Sequence, residues 1–137
     1  MNYQKLKQVT GLAIALTILF TIHTSCTFAY NGVKGNGNVV KQDRKISTFS
    51  GIDVGGAFKV FLTQGEKESV TIEADENLLD IITTEVRGST LKIGTSEDIK
   101  DSEALNVYIT FKMIDDLEIS GACQVSSENK FKLGNLS

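Results

Sequence analysis

Residues 52–60 read IDVGGAFKV and residues 117–125 read LEISGACQV. Each runs apolar, acid, β-branched, small, Gly-Ala, two variable positions, Val, and the copies stand 65 positions apart. Self-similarity within one chain marks a supersecondary unit used more than once, so this phrase bears on the fold before anything else does. Around it the hydrophobic period is two. Phe58, Val60 and Leu62 alternate with Lys59 and Phe61; Val70 and Ile72 flank Thr71, and Leu91 and Ile93 flank Lys92. Leu105, Val107, Ile109 and Phe111 alternate with polar or small residues. Such runs are half-buried strands, apolar side inward. ADENLLDII (residues 74–82) predicts one or two helical turns at most, and no proline interrupts any ladder. The chain is all-β.

Within the phrase, the glycines predict a corner. Ile52 and Val54 face inward, Gly55-Gly56 turns the chain, Ala57 sits inside the bend, and Val60 resumes the inward row. Leu117, Ile119, Gly121, Ala122 and Val125 repeat the scheme. Strand, small-residue corner and strand make up one coil of a β-solenoid, and the 65-residue offset holds about three coils of roughly 20 residues each. Asn135-Leu136-Ser137 echoes the start of the phrase once more, which predicts a solenoid domain over 45–137 that is either truncated or left uncapped at its C-terminus, with a partner covering the end. TEVRGSTLKI (residues 84–93) predicts a local hairpin around Arg87-Gly88-Ser89-Thr90, an antiparallel element. An antiparallel β-sandwich is the alternative architecture.

The N-terminus reads as an export signal. Lys5 and Lys7 precede GLAIALTILFTI (residues 11–22), an uncharged apolar run shorter than the roughly 20 residues that span a bilayer. HTSC (residues 23–26) places Cys26 as the residue that would carry lipid, giving a signal over 1–25, although His23 stands where an apolar residue is usual. The rival cut, after Ala29, gives a signal over 1–29. NGVKGNGNVV, within a segment 26–44, reads as a flexible Gly/Asn-rich leader.

Composition restricts the chemistry. Of 14 basic side chains, two lie in the signal, leaving 12 against 17 acids, a net of −5 that argues against a nucleic-acid partner. The single histidine, His23, is also in the signal, so the mature chain lacks an imidazole for general-base catalysis, a Ser-His-Asp triad or an ordinary zinc site. Cys123 is the one cysteine besides Cys26, and beside Gly and Ala it reads as a small buried hydrophobe. Three acidic groups could bind calcium or serve as paired carboxylates: Asp75, Glu76 and Asp80; Glu97, Asp98, Asp101 and Glu103; Asp115 and Asp116. None has the spacing of a calcium loop, and solvated surface is the simpler expectation. Asp53 and Glu118 occupy one outward position in the two copies. Phe61 is out of phase with the inward phenylalanines, either an exposed contact or part of a covered second face.

The block KISTFSGIDVGGAFKVFLTQGEKESVTIEADENLLDIITTEVRGSTLKI (residues 45–93), with LEISGACQV after it, resembles the putative auto-transporter adhesin, head GIN domain family of exported bacterial proteins, often lipoproteins. The resemblance implies a right-handed, β-helix-like fold of pectin-lyase-like shape, and it implies no catalytic residue and no cofactor. The functional expectation is a non-catalytic surface or periplasmic protein used in adhesion or envelope assembly. Its partner would be an envelope or cell-surface protein or a glycan, and its membrane link a lipid on Cys26. The alternatives are a periplasmic sensor or partner-binding domain, and a carbohydrate lyase or hydrolase using paired acids.

Overall fold

The computed structural model describes residues 31–130. The export segment with Cys26, and the final echo at Asn135-Leu136-Ser137, lie outside them. Among the described residues, eleven strands follow in chain order: β1 (Val33–Lys34), β2 (Val39–Arg44), β3 (Gly51–Gly56), β4 (Lys59–Gln64), β5 (Ser69–Asp75), β6 (Ile82–Arg87), β7 (Thr90–Thr95), β8 (Ile99–Asp101), β9 (Leu105–Phe111), β10 (Asp116–Gly121) and β11 (Gln124–Ser127). The helical hint at 74–82 resolves into one 3₁₀ turn, Glu76–Leu78, with Leu78 and Leu79 buried beneath it.

Two sheets form the body. One has four strands in the order β10-β3-β7-β6, and the other five in the order β11-β4-β9-β5-β2; β1 and β8 make a separate parallel pair. Period-two alternation turns the apolar side of each sheet toward the other. Ile52 and Val54 of β3 and Leu91 and Ile93 of β7 join one core with Val60 and Leu62 of β4, Val70 and Ile72 of β5, and Val107 and Ile109 of β9. Phe58, Phe111 and Ile114 are wholly buried in the same core. Each such aliphatic or aromatic side chain contributes about 1.5–3 kcal/mol when removed from water, so the common core is what holds the layers together.

The repeated phrase pairs with itself. β10 lies parallel to β3 with Leu117 opposite Ile52, Ile119 opposite Val54 and Gly121 opposite Gly56. β11 lies parallel to β4 with Val125 opposite Val60. The two copies are neighbouring strands in both layers, and each crosses from the four-stranded to the five-stranded sheet at its Gly-Ala corner.

This arrangement overturns the solenoid expectation. Coils of about 20 residues would put the intervening chain between the two copies, yet no strand separates them. Ladders β2/β5, β5/β9 and β6/β7 are antiparallel, whereas β4/β9 and β3/β7 are parallel. The fold is a mixed, sandwich-like pair of sheets, neither a right-handed β-helix nor a purely antiparallel sandwich. The physical reason is that a self-pairing phrase specifies which strands are neighbours and leaves open what the residues between them build. The hairpin around residue 88 is present: β6 and β7 pair from Ile82–Thr95 to Arg87–Thr90, and Gly88 has a φ of 60° in the tight connection. Residues 31–44 are the second correction. Instead of a leader ending at Arg44, they supply β1 and the whole of β2, which pairs with β5 from Val39–Asp75 to Arg44–Val70.

Candidate functional site

The corner residues come first, because the phrase singled them out. Gly56 and Gly121 have φ angles of 133° and 80°, a region that side chains resist. A Cβ on Gly121 would run into the Gly56 carbonyl oxygen, which already accepts a 2.8 Å hydrogen bond from the Ala122 N–H. Ala57 and Ala122 are exposed, not inside the bend. Gly56 and Ala57 are both exposed at the corner, and the inward row of Ile52 and Val54 resumes only at Phe58 and Val60, so the alanines lie on the outer side of the turn. The interior position belongs to Phe58, wholly buried, and to its counterpart Cys123, half-buried against the core with its thiol 3.4 Å from the Ser120 carbonyl oxygen.

The acidic groups separate in space. Asp75 is wholly buried and accepts 2.8 Å hydrogen bonds from the Gly37 and Glu103 N–H groups, which fastens the N-terminal segment to the loop before β9. It is a structural carboxylate. Glu76 accepts from the Asn38 amide at 2.9 Å; Asp80, Glu97, Asp98, Asp101, Glu103, Asp115 and Asp116 are exposed. Among the described residues, no three acids or thiols converge as a metal-holding group. Asp53 and Glu118 are register partners on the outer face of β3 and β10, and Lys92 lies 3.2 Å from Asp53.

The outer face of the five-stranded sheet has a different character. Strand pairing lines up Gln124, Lys59, Asn106, Glu73 and Lys41 in one row, and Ser126, Phe61, Tyr108, Thr71 and Asp43 in the next. The Phe61 and Tyr108 rings stack across β4 and β9, with centroids 4.9 Å apart and planes 13° from parallel. Lys41 Nζ lies 4.9 Å from the Tyr108 centroid, close enough for a cation–π contact. Glu73 anchors the group. It accepts from the Tyr108 hydroxyl at 2.6 Å and the Asn106 amide at 2.9 Å, and Lys41 Nζ is 3.6 Å away.

These bonds set the charge states. The hydrogen bonds from Asn106 and Tyr108, helped by Lys41, hold the Glu73 carboxyl below its ordinary range against the opposing effect of desolvation. The bond to Glu73, followed by desolvation, pushes the Tyr108 phenol above its ordinary value. Glu73 therefore stays an anion and Tyr108 a neutral donor across the physiological range. A fixed acceptor with three partners keeps the rings in place. The half-buried Phe61 is thus the out-of-phase residue noted in the sequence, covered on one side by Tyr108 and, among the described residues, open on the other.

That open side faces β11. Ser126 is the register partner of Phe61 there, and its hydroxymethyl group is too short to cover a phenyl ring. A depression of about 270 Å³ lies at this point, lined by Lys59, Val60, Phe61, Gln124, Val125 and Ser126. One ring face, one amine, one amide and one hydroxyl converge on it, a composition suited to binding. Glu73, Lys41 and Asn106 were not apparent from the sequence, since the row that unites them exists only after β2, β5 and β9 pair. Their out-of-phase positions in VVKQDR, SVTIEAD and LNVYITF were the available signal.

The family model for the putative auto-transporter adhesin, head GIN domain matches residues 48–137. Among solved structures, a putative lipid-binding protein from Parabacteroides distasonis is 26% identical, with a TM-score of 0.63 over 69% of this chain and 43% of that one. A putative adhesin from Bacteroides fragilis is 22% identical, with a TM-score of 0.66 over 72% and 47% of the two chains. A putative adhesin from Parabacteroides merdae is 23% identical, with a TM-score of 0.63 over 69% and 41%. The chain spans less than half the length of these structures. No match is found among curated proteins. With the family model covering nearly all of the paired-sheet body, the chain belongs to the head GIN domain family of putative auto-transporter adhesins.

Proposed function

We propose that the mature protein is an exported, non-catalytic binding protein of the cell envelope, held at the membrane by lipid on Cys26 and used in adhesion. The outer face of the five-stranded sheet is the binding surface. The observation that carries this reading is the Phe61–Tyr108 ring pair held by Glu73, Asn106 and Lys41 on a face with no second layer over it among the described residues. The basic n-region and apolar run support export, and the adhesin character of the family supports a surface role. The mature chain's lack of histidine supports binding over turnover.

The test is attachment. Beads coated with the mature chain are expected to bind mucin- or polysaccharide-coated surfaces, and Phe61→Ala with Tyr108→Ala should reduce retained beads at least tenfold. Equal retention by wild type, double variant and uncoated beads would end the adhesion reading.

A further inference from the structure

We infer that the depression between β4 and β11 takes one pyranose ring of a glycan, stacked on the open face of Phe61. This rests on the outer sheet face being the binding surface and names its ligand class.

Neighbouring strands stand about 4.8 Å apart, and stacked rings on adjacent strands keep that spacing. Phe61 and Tyr108 follow this rule at 4.9 Å. One strand further, over β11, the register position holds Ser126, so the stack ends with a ring-sized space above a hydroxyl. Drug-sized ligands occupy cavities of about 300–1,000 Å³; the 270 Å³ here suits a single ring.

The rim selects among flat groups. Lys59 and Gln124 line one end, and Lys59 makes no ion pair among the described residues, unlike Lys41 and Lys92. Next along the same face, Glu128 accepts from the Thr63 hydroxyl at 3.1 Å and retains acceptor capacity. A donor-only amine, an amide and a hydroxyl line the depression beside one apolar ring face, and the Glu128 carboxylate lies next along the same strand pair. A pyranose offers the matching pattern: an apolar C–H face for Phe61 and hydroxyls around its edge that both donate and accept. An aromatic side chain would match the ring face and leave the polar rim unused. A phosphate or other polyanion would meet one unpaired amine and the Glu128 carboxylate, in a chain of net negative charge.

Lys41, on the far side of Tyr108, closes the other end of the stack. Binding therefore has one open face, that of Phe61.

The experiment is a nitrogen-15 NMR titration of the mature chain with methyl β-glucoside, methyl β-galactoside and methyl β-N-acetylglucosaminide, with p-cresol as the aromatic comparison. At least one glycoside is expected to shift the Phe61, Gln124 and Ser126 amides saturably, with p-cresol at least tenfold weaker. Phe61→Ala should weaken binding at least tenfold. Ser126→Phe, which fills the space with the protein's own ring and leaves the core untouched, should abolish it. Preferential p-cresol binding, shifts located elsewhere, or unchanged binding by a folded Ser126→Phe variant would each overturn the inference. Bead attachment that survives Ser126→Phe would reject the pyranose site and leave adhesion standing. Glycoside binding without bead attachment would do the reverse.

Discussion

The two copies of the nine-residue phrase have the same local geometry and different energetic weight. In the first, Ile52, Val54 and Val60 are wholly buried. In the second, Leu117 and Ile119 are half-buried and Val125 is 46% exposed. The cause is position. β3 and β4 lie inside their sheets, flanked on both sides, while β10 and β11 are the edge strands of the two layers among the described residues. Equal sequence makes equal corners, and the number of neighbours decides how much each apolar side chain is worth. Burial in this fold is a property of place in the sheet order more than of residue type.

The largest expected effect breaks the equality directly. Ile52→Ala removes a wholly buried side chain and should cost about 2–5 kcal/mol; Leu117→Ala, at its register partner four residues before the second corner glycine, should cost less than half as much. Urea melts of both variants check the ratio. Equal losses would mean that the second copy is as deeply packed as the first.

Gly121→Val is expected to come next. Its left-handed φ and the Gly56 carbonyl oxygen directly in the path of a Cβ leave no room for a side chain. A cost of about 1–3 kcal/mol is typical of a backbone forced to keep such a conformation. The loss should appear with early exchange of the β10 and β11 amides, because the corner joins the two edge strands. A melt and exchange pattern like the wild type would show that this corner is not under steric constraint.

The smallest effect sharpens the comparison by its absence. Ala57→Leu and Ala122→Leu place larger groups on the exposed outer side of both corners and should change stability by no more than about 0.5 kcal/mol. Thermal melts of the two variants give the test. A clear loss in either would return the alanines to the interior of the bend.

The outward fall of these alanines shows where sequence reading stopped. The break in alternation at Gly55-Gly56 was visible and is present, yet Ala57 was expected inside the bend, whereas the inward row resumes one residue later at Phe58. Asp75 illustrates a second limit. Within a run of acids it looked like solvated surface, and its burial depends on N–H groups of Gly37 and Glu103, 38 and 28 residues away. The same limit hid the binding face, whose members come from β2, β4, β5, β9 and β11. Period-two patterning tells which side of a strand is polar, not which polar sides are brought together.

What the chain determined by itself was local. All-β character, the inward rows and the hairpin at Gly88 follow from side-chain period and glycine conformation. Sheet order, the mixture of parallel and antiparallel ladders, the inclusion of residues 39–44 as a strand and the Phe61–Tyr108–Glu73 group were decided only in the tertiary structure. The reason is that strand hydrogen bonds are made by the backbone and are nearly blind to sequence. Which strands pair is settled by the joint burial of apolar faces from distant segments, and that sum exists only once the two sheets close on one core.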